Sequence, residues 1–288
     1  MSSPADIDAR DVAVVATVAE LRRRVASWRG VGDTVALVPT MGALHAGHLA
    51  LVSRGRALAR RVVASVFVNP TQFGPNEDLS RYPRDAGGDR RKLADAGCDL
   101  AFMPSVAEMY PDGFAARIDP GPLGETLEGR FRPGHFSGVA TVVAKLLLQA
   151  APDVAVFGEK DFQQLLVIRR VVRDLDIPVR IEGAATVRES DGLALSSRNA
   201  YLTPEERARA PMLYRTLCEV ARRHAGGDAG AAEWGACTLL DAGFAKVDYL
   251  EIRDAETLDP PLPSRAARVL AAARLGRTRL IDNVALAP

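Results

Sequence analysis

Runs of apolar residues, each bounded by glycine, proline and polar clusters, divide this chain into recognisable elements. Residues 34–38 (TVALV), 62–68 (VVASVFV), 99–103, 154–157 and 179–187 are short and rich in β-branched side chains, so each is predicted to be a buried strand. Between them, 14–28, 49–60, 85–96 and a segment from 137 or 138 to about 149 show helical spacing. Strands that are apolar throughout need cover on both faces, as in a parallel sheet flanked by helices. The alternation of strand and helix predicts a Rossmann-like, doubly wound α/β fold. Residues up to about 11 look frayed. The Pro- and Gly-rich stretch 104–133 is predicted to be mostly loop with short strands.

Beyond about residue 188 the pattern changes. One charged amphipathic helix is predicted over 203–224, opened by the capping signal Thr203-Pro204-Glu205-Glu206. A glycine break follows at 226–230, then a second helix to about 241. Three strands are predicted near 246–252, 268–273 and 279–286. Helices followed by consecutive strands indicate a smaller α+β domain, which gives expected domains of 1–187 and 188–288. The second is expected to act as a lid that keeps water from a reactive intermediate.

Composition narrows the class. The chain has 288 residues, 48% hydrophobic and 25% charged, as in a soluble globular protein. A net charge of +1 gives no reason to expect nucleic acid or an anionic membrane as partner. Three scattered cysteines, without zinc or CxxC spacing, point to reduced thiols and a cytoplasmic location. No signal peptide is evident at the start, and no apolar run approaches the ~20 residues of a membrane span.

The candidate chemistry sits where strands end. The stretch Pro39-Thr40-Met41-Gly42-Ala43-Leu44-His45-Ala46-Gly47-His48 runs from a strand through a glycine turn into a helix, an arrangement that leaves backbone N–H groups aimed at an anion. His45 and His48 fall on one side of the first helical turn, as paired donors to phosphate oxygens. A metal reading is weaker, since no third ligand lies nearby and HExxH is absent. Polar segments also follow the later strands: Asn69 to Gln72, Gly158 to Gln164, and Arg188 to Asn199. In an open parallel sheet the carboxyl ends of strands share an edge where ligands bind. His45, His48, Asn69, Gln72, Lys160 and Ser196 to Arg198 are therefore expected to converge on one crevice. Lysine, arginine, serines and histidines together suit a polyphosphate. Neither a P-loop nor a GxGxxG fingerprint is present. Gln72 and Gln164 suit a small hydroxy acid, with Met41 and Phe157 as an apolar wall.

Bland alternatives stand beside these. Lys160 would otherwise be solvated, Ser196 and Ser197 would cap a helix, Asp161 would cap its own, and Arg198 would pair with a surface acid. Asn69 divides between turn formation and ligand contact. His135 is left between fixing the loop and touching substrate, and Arg130 and Arg132 between phosphate or acid contacts and the default of solvated loop residues.

The motifs PTMGALHxGH, FVNPTQF, LEGRFRPGHFSGV, FGEKDFQQ and VRExDGLAxSSRN occur in this order, and the likeness resumes at 247–251 and 278–283. Together they resemble the pantothenate synthetase (pantoate–β-alanine ligase) family of the HxGH nucleotidylyltransferase superfamily. The resemblance implies that pantoate attacks ATP to give a pantoyl adenylate and pyrophosphate, and that β-alanine then displaces AMP to give pantothenate. It implies that Met41, Gly42, Ala43, Leu44, His45, Ala46, Gly47 and His48 line the ATP site, with His48 as the proton donor. Gly158, Glu159, Lys160 and Asp161 match a second ATP-binding piece, and Val187, Leu195, Ser196, Ser197 and Arg198 a third. Gln72 matches a contact to pantoate and β-alanine, and Gln164 a contact to pantoate. A homodimer and an Mg²⁺ bridging the phosphates are implied as well. Leu195 departs from the family's usual methionine, a near-isosteric exchange. Two rival readings are an adenylyltransferase that stops at the adenylated product and a nucleotide-binding module without turnover.

Overall fold

The computed structural model describes residues 11–75 and 77–286; the expected frayed start lies outside them except for its last position. In chain order the strands are β1 (Val14–Val15), β2 (Val35–Thr40), β3 (Arg61–Val66), β4 (Leu100–Phe102), β5 (Val154–Gly158), β6 (Arg180–Ala184), β7 (Lys246–Asp254), β8 (Ala267–Leu275) and β9 (Thr278–Ala285). The helices are α1 (Val18–Arg29), α2 (Ala46–Leu58), α3 (Ala86–Asp95), α4 (Val106–Met109), α5 (Glu128–Phe131), α6 (His135–Ala150), α7 (Phe162–Asp174), α8 (Pro204–Arg209), α9 (Met212–Ala225) and α10 (Ala231–Asp241).

These elements form two compact units. The first takes the chain up to Ile118 with Ser137–Phe157 and Val171–Ala184; the second takes Asp119–Phe136, Gly158–Arg170 and Ala185–Pro288. The units are thus interleaved along the chain, whereas the sequence pattern suggested contiguous segments 1–187 and 188–288.

The first unit is built on a six-stranded sheet of order β1-β4-β3-β2-β5-β6. The registered pairs β1–β4, β4–β3, β3–β2 and β2–β5 are all parallel. Val35, Ala36, Leu37 and Val38 of β2 are fully buried, as expected for a strand covered on both faces. The chain leaves β2 toward β3 and leaves β5 toward β6, so neighbouring strands send their connections opposite ways. That is the topological switch point of a doubly wound sheet. The expected Rossmann-like parallel fold is what the chain adopts.

The second unit centres on the antiparallel sheet β7-β8-β9. Side chains alternate across a strand, and here both faces are covered. Val269, Ala271 and Ala273 pack with Leu213, Leu217 and Val220 of α9. Leu270 and Ala272 pack with Leu127, Phe162 and Leu166. That double cover explains both the apolar run of β8 and the inclusion of 119–136 and the start of α7 in this unit.

Five boundaries differ from the sequence reading. Val14 and Val15 pair with β4 rather than starting a helix, because Thr17 and Glu20 form a capping box that opens α1 at Val18. The helix expected from 137 or 138 begins at His135. Strand β6 ends at Ala184, short of Val187. The expected helix over 203–224 is two helices, because Pro211 lacks the N–H that a continuous helix requires and instead precedes α9. Within 104–133 the described residues form α4, α5 and a 3₁₀ turn at Gly121–Gly124, and no strand.

Candidate active site

In the first unit the candidate residues gather where β2 and β3 end. After Thr40 the chain turns through Gly42 (φ 81°) and Ala43 (φ 51°) into α2. A Cβ on Gly42 would lie 2.9 Å from Asp89 Oδ2, so both the backbone angle and the space demand glycine. Asp89, buried on α3, is the reason the turn has this shape. Its carboxylate accepts from the Ala43 N–H at 2.8 Å and from the Leu44 N–H at 2.7 Å. Lys92 donates to the Leu44 carbonyl at 2.8 Å. The sequence reading missed Asp89; its signal was the placement of an acid one helical turn from Lys92, too common to be noticed.

His45 is the N-cap of α2, and its Nδ1 accepts from the Gly47 N–H at 3.2 Å. His48 Nδ1 accepts from the His45 N–H at 3.3 Å, and the two rings lie 4.1 Å apart. A ring nitrogen that accepts carries no proton, so in this arrangement each imidazole is neutral and bears its proton on Nε2. Both histidines therefore present an N–H donor beside a helix N-terminus, where the backbone dipole already favours an anion.

Asn69 is almost fully buried, and its hydrogen bonds go to the protein. Oδ1 accepts from Tyr110 Oη at 2.8 Å and from Thr71 Oγ1 at 3.0 Å. Nδ2 donates to Gln72 Oε1 at 3.1 Å and to the Gly138 carbonyl at 3.2 Å. Asn69 thus caps the turn at Pro70–Gln72 and orients Gln72 through its amide. Gln72 in turn donates to Met41 Sδ at 3.2 Å, so Met41, Asn69 and Gln72 form one contiguous group. Gly138 allows this packing, since a Cβ there would stand 2.3 Å from the Thr71 carbonyl oxygen. Tyr110 is a further member that sequence reasoning did not select. Burial raises its hydroxyl pKa, so it stays a proton donor to Asn69.

In the second unit Gly158 leads into the 3₁₀ turn Glu159–Asp161. Lys160 and Asp161 line a cavity of about 40 Å³ together with Arg132, His135, Gln163 and Gln164. Gln163 is structural: it accepts from the Glu128 N–H at 3.0 Å and donates to the carbonyls of Leu123 and Thr126. Arg132 donates to His135 Nε2 at 3.0 Å, which fixes that ring with its proton on Nδ1. Arg130 pairs with Glu251 and is half-exposed.

One wall of the cavity, at Glu128 and Tyr249, belongs to a buried ionic group that the sequence did not reveal. Glu128 accepts from Tyr249 Oη at 2.8 Å and from both Arg279 nitrogens at 2.7 and 2.8 Å, and Arg279 also donates to Asp248 at 2.7 Å. Burial and the Glu128 charge push the Tyr249 hydroxyl well above its usual pKa. Burial lowers the pKa of Arg279, but its carboxylate partners outweigh this, so it is held ionised.

Ser196 does not cap the helix at Thr203. Its Oγ accepts from the Arg198 N–H at 3.3 Å and caps the 3₁₀ turn Ser197–Tyr201, while Thr203 and Glu206 form the capping box of α8. Val187 and Leu195 meet across the preceding loop, the Leu195 N–H donating to the Val187 carbonyl at 3.0 Å. For a divalent cation, Asp161 offers one half-exposed carboxylate, and among the described residues no three His, Cys, Asp or Glu side chains cluster to hold a metal. That donor set fits a Mg²⁺ carried mainly by phosphate oxygens and water, not a protein cage.

A family profile described as pantoate–β-alanine ligase matches residues 13–285, nearly the whole chain. The chain belongs to the pantoate–β-alanine ligase family. A pantothenate synthetase from Paramagnetospirillum magneticum is 61% identical over 96% of this chain and 99% of its own. The crystal structure of pantothenate synthetase from Thermus thermophilus superposes with a TM-score of 0.90 at 53% identity, covering 96% of this chain and 100% of that one. The pantoate–β-alanine ligase of Francisella tularensis, solved with a β,γ-ATP compound and β-alanine, superposes with a TM-score of 0.82 at 35% identity, covering 95% and 97%. As a member of this ligase family the protein is an enzyme, and its parallel sheet with a small antiparallel C-terminal sheet is the family's fold. Among the described residues no helix is long and apolar enough to cross a membrane.

Proposed function

We propose that this chain joins pantoate to β-alanine using ATP, through a pantoyl adenylate. A pantoate carboxylate oxygen bonds to the α-phosphorus and pyrophosphate departs. The β-alanine nitrogen then bonds to the activated carbonyl carbon, AMP departs, and the nitrogen gives up its proton. The observation that carries this reading is the pair of histidines just after β2, whose Nδ1 atoms accept backbone N–H groups at the N-terminus of α2. β2 and β5 adjoin at the switch point of the sheet, which is where a doubly wound fold binds its ligand. The turn bearing Lys160 begins where β5 ends.

In this reading Met41, Gly42, Ala43, Leu44, Ala46 and Gly47 line the nucleotide with His45 and His48, and His48 stabilises charge growing on the phosphate rather than delivering a needed proton. Gly158, Glu159, Lys160 and Asp161, with Val187, Leu195, Ser196, Ser197 and Arg198, embrace the phosphate tail. The chemistry requires positioning and charge neutralisation more than covalent help. Gln72, steered by Asn69 and backed by Met41, holds pantoate with Gln164. Mg²⁺, when bound, would neutralise phosphate charge, with Asp161 as the available carboxylate. A lid role for the C-terminal segment, a homodimer and a cytoplasmic location complete the proposal; the family resemblance supports the dimer, and the reduced-thiol pattern supports the location.

The test supplies ATP, Mg²⁺ and pantoate, with and without β-alanine, and follows pyrophosphate and AMP. Pyrophosphate should require pantoate, and free AMP should rise only when β-alanine is added. Formation of a stable adenylated product that β-alanine cannot discharge would instead indicate an adenylyltransferase, and ATP binding without turnover a silent module. Lys160→Ala and His48→Ala should each lower the rate of the first step by about 10²–10³-fold, the usual cost of losing one donor to developing charge. A full-rate Lys160→Ala enzyme removes the role given to that lysine.

A further inference from the structure

The run Thr278-Arg279-Leu280-Ile281-Asp282-Asn283 is a family motif that supplies no ligand contact in the proposed reaction. Its last two residues are 4% and 3% exposed, yet both are polar, and they reach in different directions. Asn283 Nδ2 donates to the carbonyls of Glu159 at 2.9 Å and Lys160 at 3.0 Å, which uses both amide protons. Its Oδ1 accepts from Arg268 of β8, and Arg268 also donates to Glu159 Oε2 at 3.1 Å while lying 4.0 Å over the Phe162 ring. The cap of the Glu159–Asp161 turn has no side-chain hydrogen bond of its own, so the side-chain support for the carbonyls of 159 and 160 comes from β9.

Asp282 serves the other loop. It holds Arg188 in a two-pronged pair at 2.6 and 2.9 Å. Arg188 passes this on, donating to the Gly192 carbonyl at 3.1 Å and the Asn283 carbonyl at 3.3 Å, with its guanidinium 3.8 Å over Tyr214. Arg188 pairs with Ala194 as a β-bridge, and the chain runs directly from there into Ser196. Adjacent residues of one strand therefore support both the turn that carries Lys160 and the loop that ends in Ser196, Ser197 and Arg198. Planar, two-pronged contacts of this kind fix direction as well as distance.

We propose that Asp282 and Asn283 are positioning residues that set the Lys160 turn and the Ser196–Arg198 loop in common register, so that ammonium and guanidinium meet one phosphate tail. The proposal rests on the pantoate-activating reading of the site. It assigns each residue its own loop: Asn283 acts through Lys160, and Asp282 acts through Arg188 on Arg198.

The test is a set of double-mutant cycles on the full chain, read as pantoate-dependent pyrophosphate release with ATP varied. Asn283→Leu should lower kcat/KM for ATP by up to about 10²-fold, the cost of a displacement near 1 Å, while the KM for pantoate stays unchanged. In a Lys160→Ala background the same substitution should cost almost nothing further. Asp282→Asn should lose activity in the Lys160→Ala background but not in Arg198→Ala. Should Asn283→Leu fail to fold, Arg268→Met removes the clamp on Asn283 without stranding the two carbonyls, and should show the same pattern at about tenfold. Losses that multiply in every background, or that merely follow a fall in Tm, overturn the proposal. Hydrogen exchange on the ligand-free chain reads the bracket without turnover. Asn283→Leu should speed exchange at 159–162 and spare 194–199, and Asp282→Asn should do the reverse. A wild-type enzyme that releases no pyrophosphate defeats the functional reading alone; exchange that rises equally across both loops defeats the bracket.

Discussion

The histidine turn of the first unit and the Lys160 and Ser196–Arg198 loops of the second are built by different means. At the turn the histidines are supported locally: His45 and His48 cap one another's backbone across three positions, and Asn69 reaches Gln72 across three more. The longer-range supports there span moderate separations: 46 positions from Asp89 to Ala43, 48 from Lys92 to Leu44, and 69 from Asn69 to Gly138. In the second unit the supports come from afar. Arg279 meets Glu128 across 151 positions, Asn283 meets Lys160 across 123, and Asp282 meets Arg188 across 94. The difference separates a rigid donor site, formed with its own helix, from loops whose placement depends on a small sheet folding correctly. Perturbing the sheet should therefore damage the second region while leaving the histidine turn intact.

The strongest way to break this contrast is Glu128→Ala. It strips the two-pronged carboxylate from buried Arg279, leaving Asp248 as its acid partner, also strands the Tyr249 hydroxyl, and should cost about 3–5 kcal/mol, measured by denaturant unfolding. Asp89→Ala is the counterpart in the first unit. Two backbone N–H groups lose a charged acceptor, and we expect a loss of about 2–3 kcal/mol with weaker nucleotide binding. Cys98 reports on this unit, because burial pushes its thiol up to about 11 and it should react with alkylating agents only when the unit opens. Cys218 and Cys237 are exposed and should react at once. Asp89→Ala should speed Cys98 labelling, and an unchanged labelling rate would show that Asp89 does not hold the turn.

Gly42→Ala is a finer probe. A φ of 81° and the 2.9 Å approach to Asp89 predict a cost of about 1–2 kcal/mol, with the loss of affinity falling on ATP rather than pantoate. The smallest effect concerns acid. Burial raises the carboxyl pKa of Asp248, but its hydrogen bonds to Arg279 and Lys246 outweigh this and hold it below the usual value. A depressed carboxylate contributes stability that is full above its unfolded pKa, near 4, and is lost as pH falls through the folded value. Asp248→Asn should therefore be less stable than wild type at pH 7 by a modest margin that narrows below about pH 4. A margin independent of pH would mean that the charge of Asp248 does not matter to the small sheet.

The same contrast explains what could be read from residues alone. The parallel sheet was legible because β2, β3 and β5 are apolar runs whose polar ends announce themselves, and Thr203 with Glu206 spelled out a helix start. The histidine pair was legible because its geometry is set by spacing within a single turn. Pro211 was also in plain view, but the amphipathic pattern on either side masked the break. The roles of Asp89, Glu128 and Asn283 were not legible, although Glu128 and Asn283 lie within the motifs that carry the resemblance. Each is an ordinary polar residue on a helix or strand, and its meaning comes from a partner that only the fold brings near. For Asn69 the sequence left two roles open; its partners Tyr110 and Gly138 are ones that only the fold brings near.

The central claim is that the imidazoles at 45 and 48 and the cations at 160 and 198 act on a single nucleotide. A crystal structure of the full chain with a non-hydrolysable ATP analogue and pantoate tests it directly. The account predicts phosphate oxygens within hydrogen-bonding distance of both His48 Nε2 and Lys160 Nζ, with the pantoate carboxylate beside the α-phosphorus. A nucleotide bound to one of these groups while the other stands well away from its phosphates would contradict it.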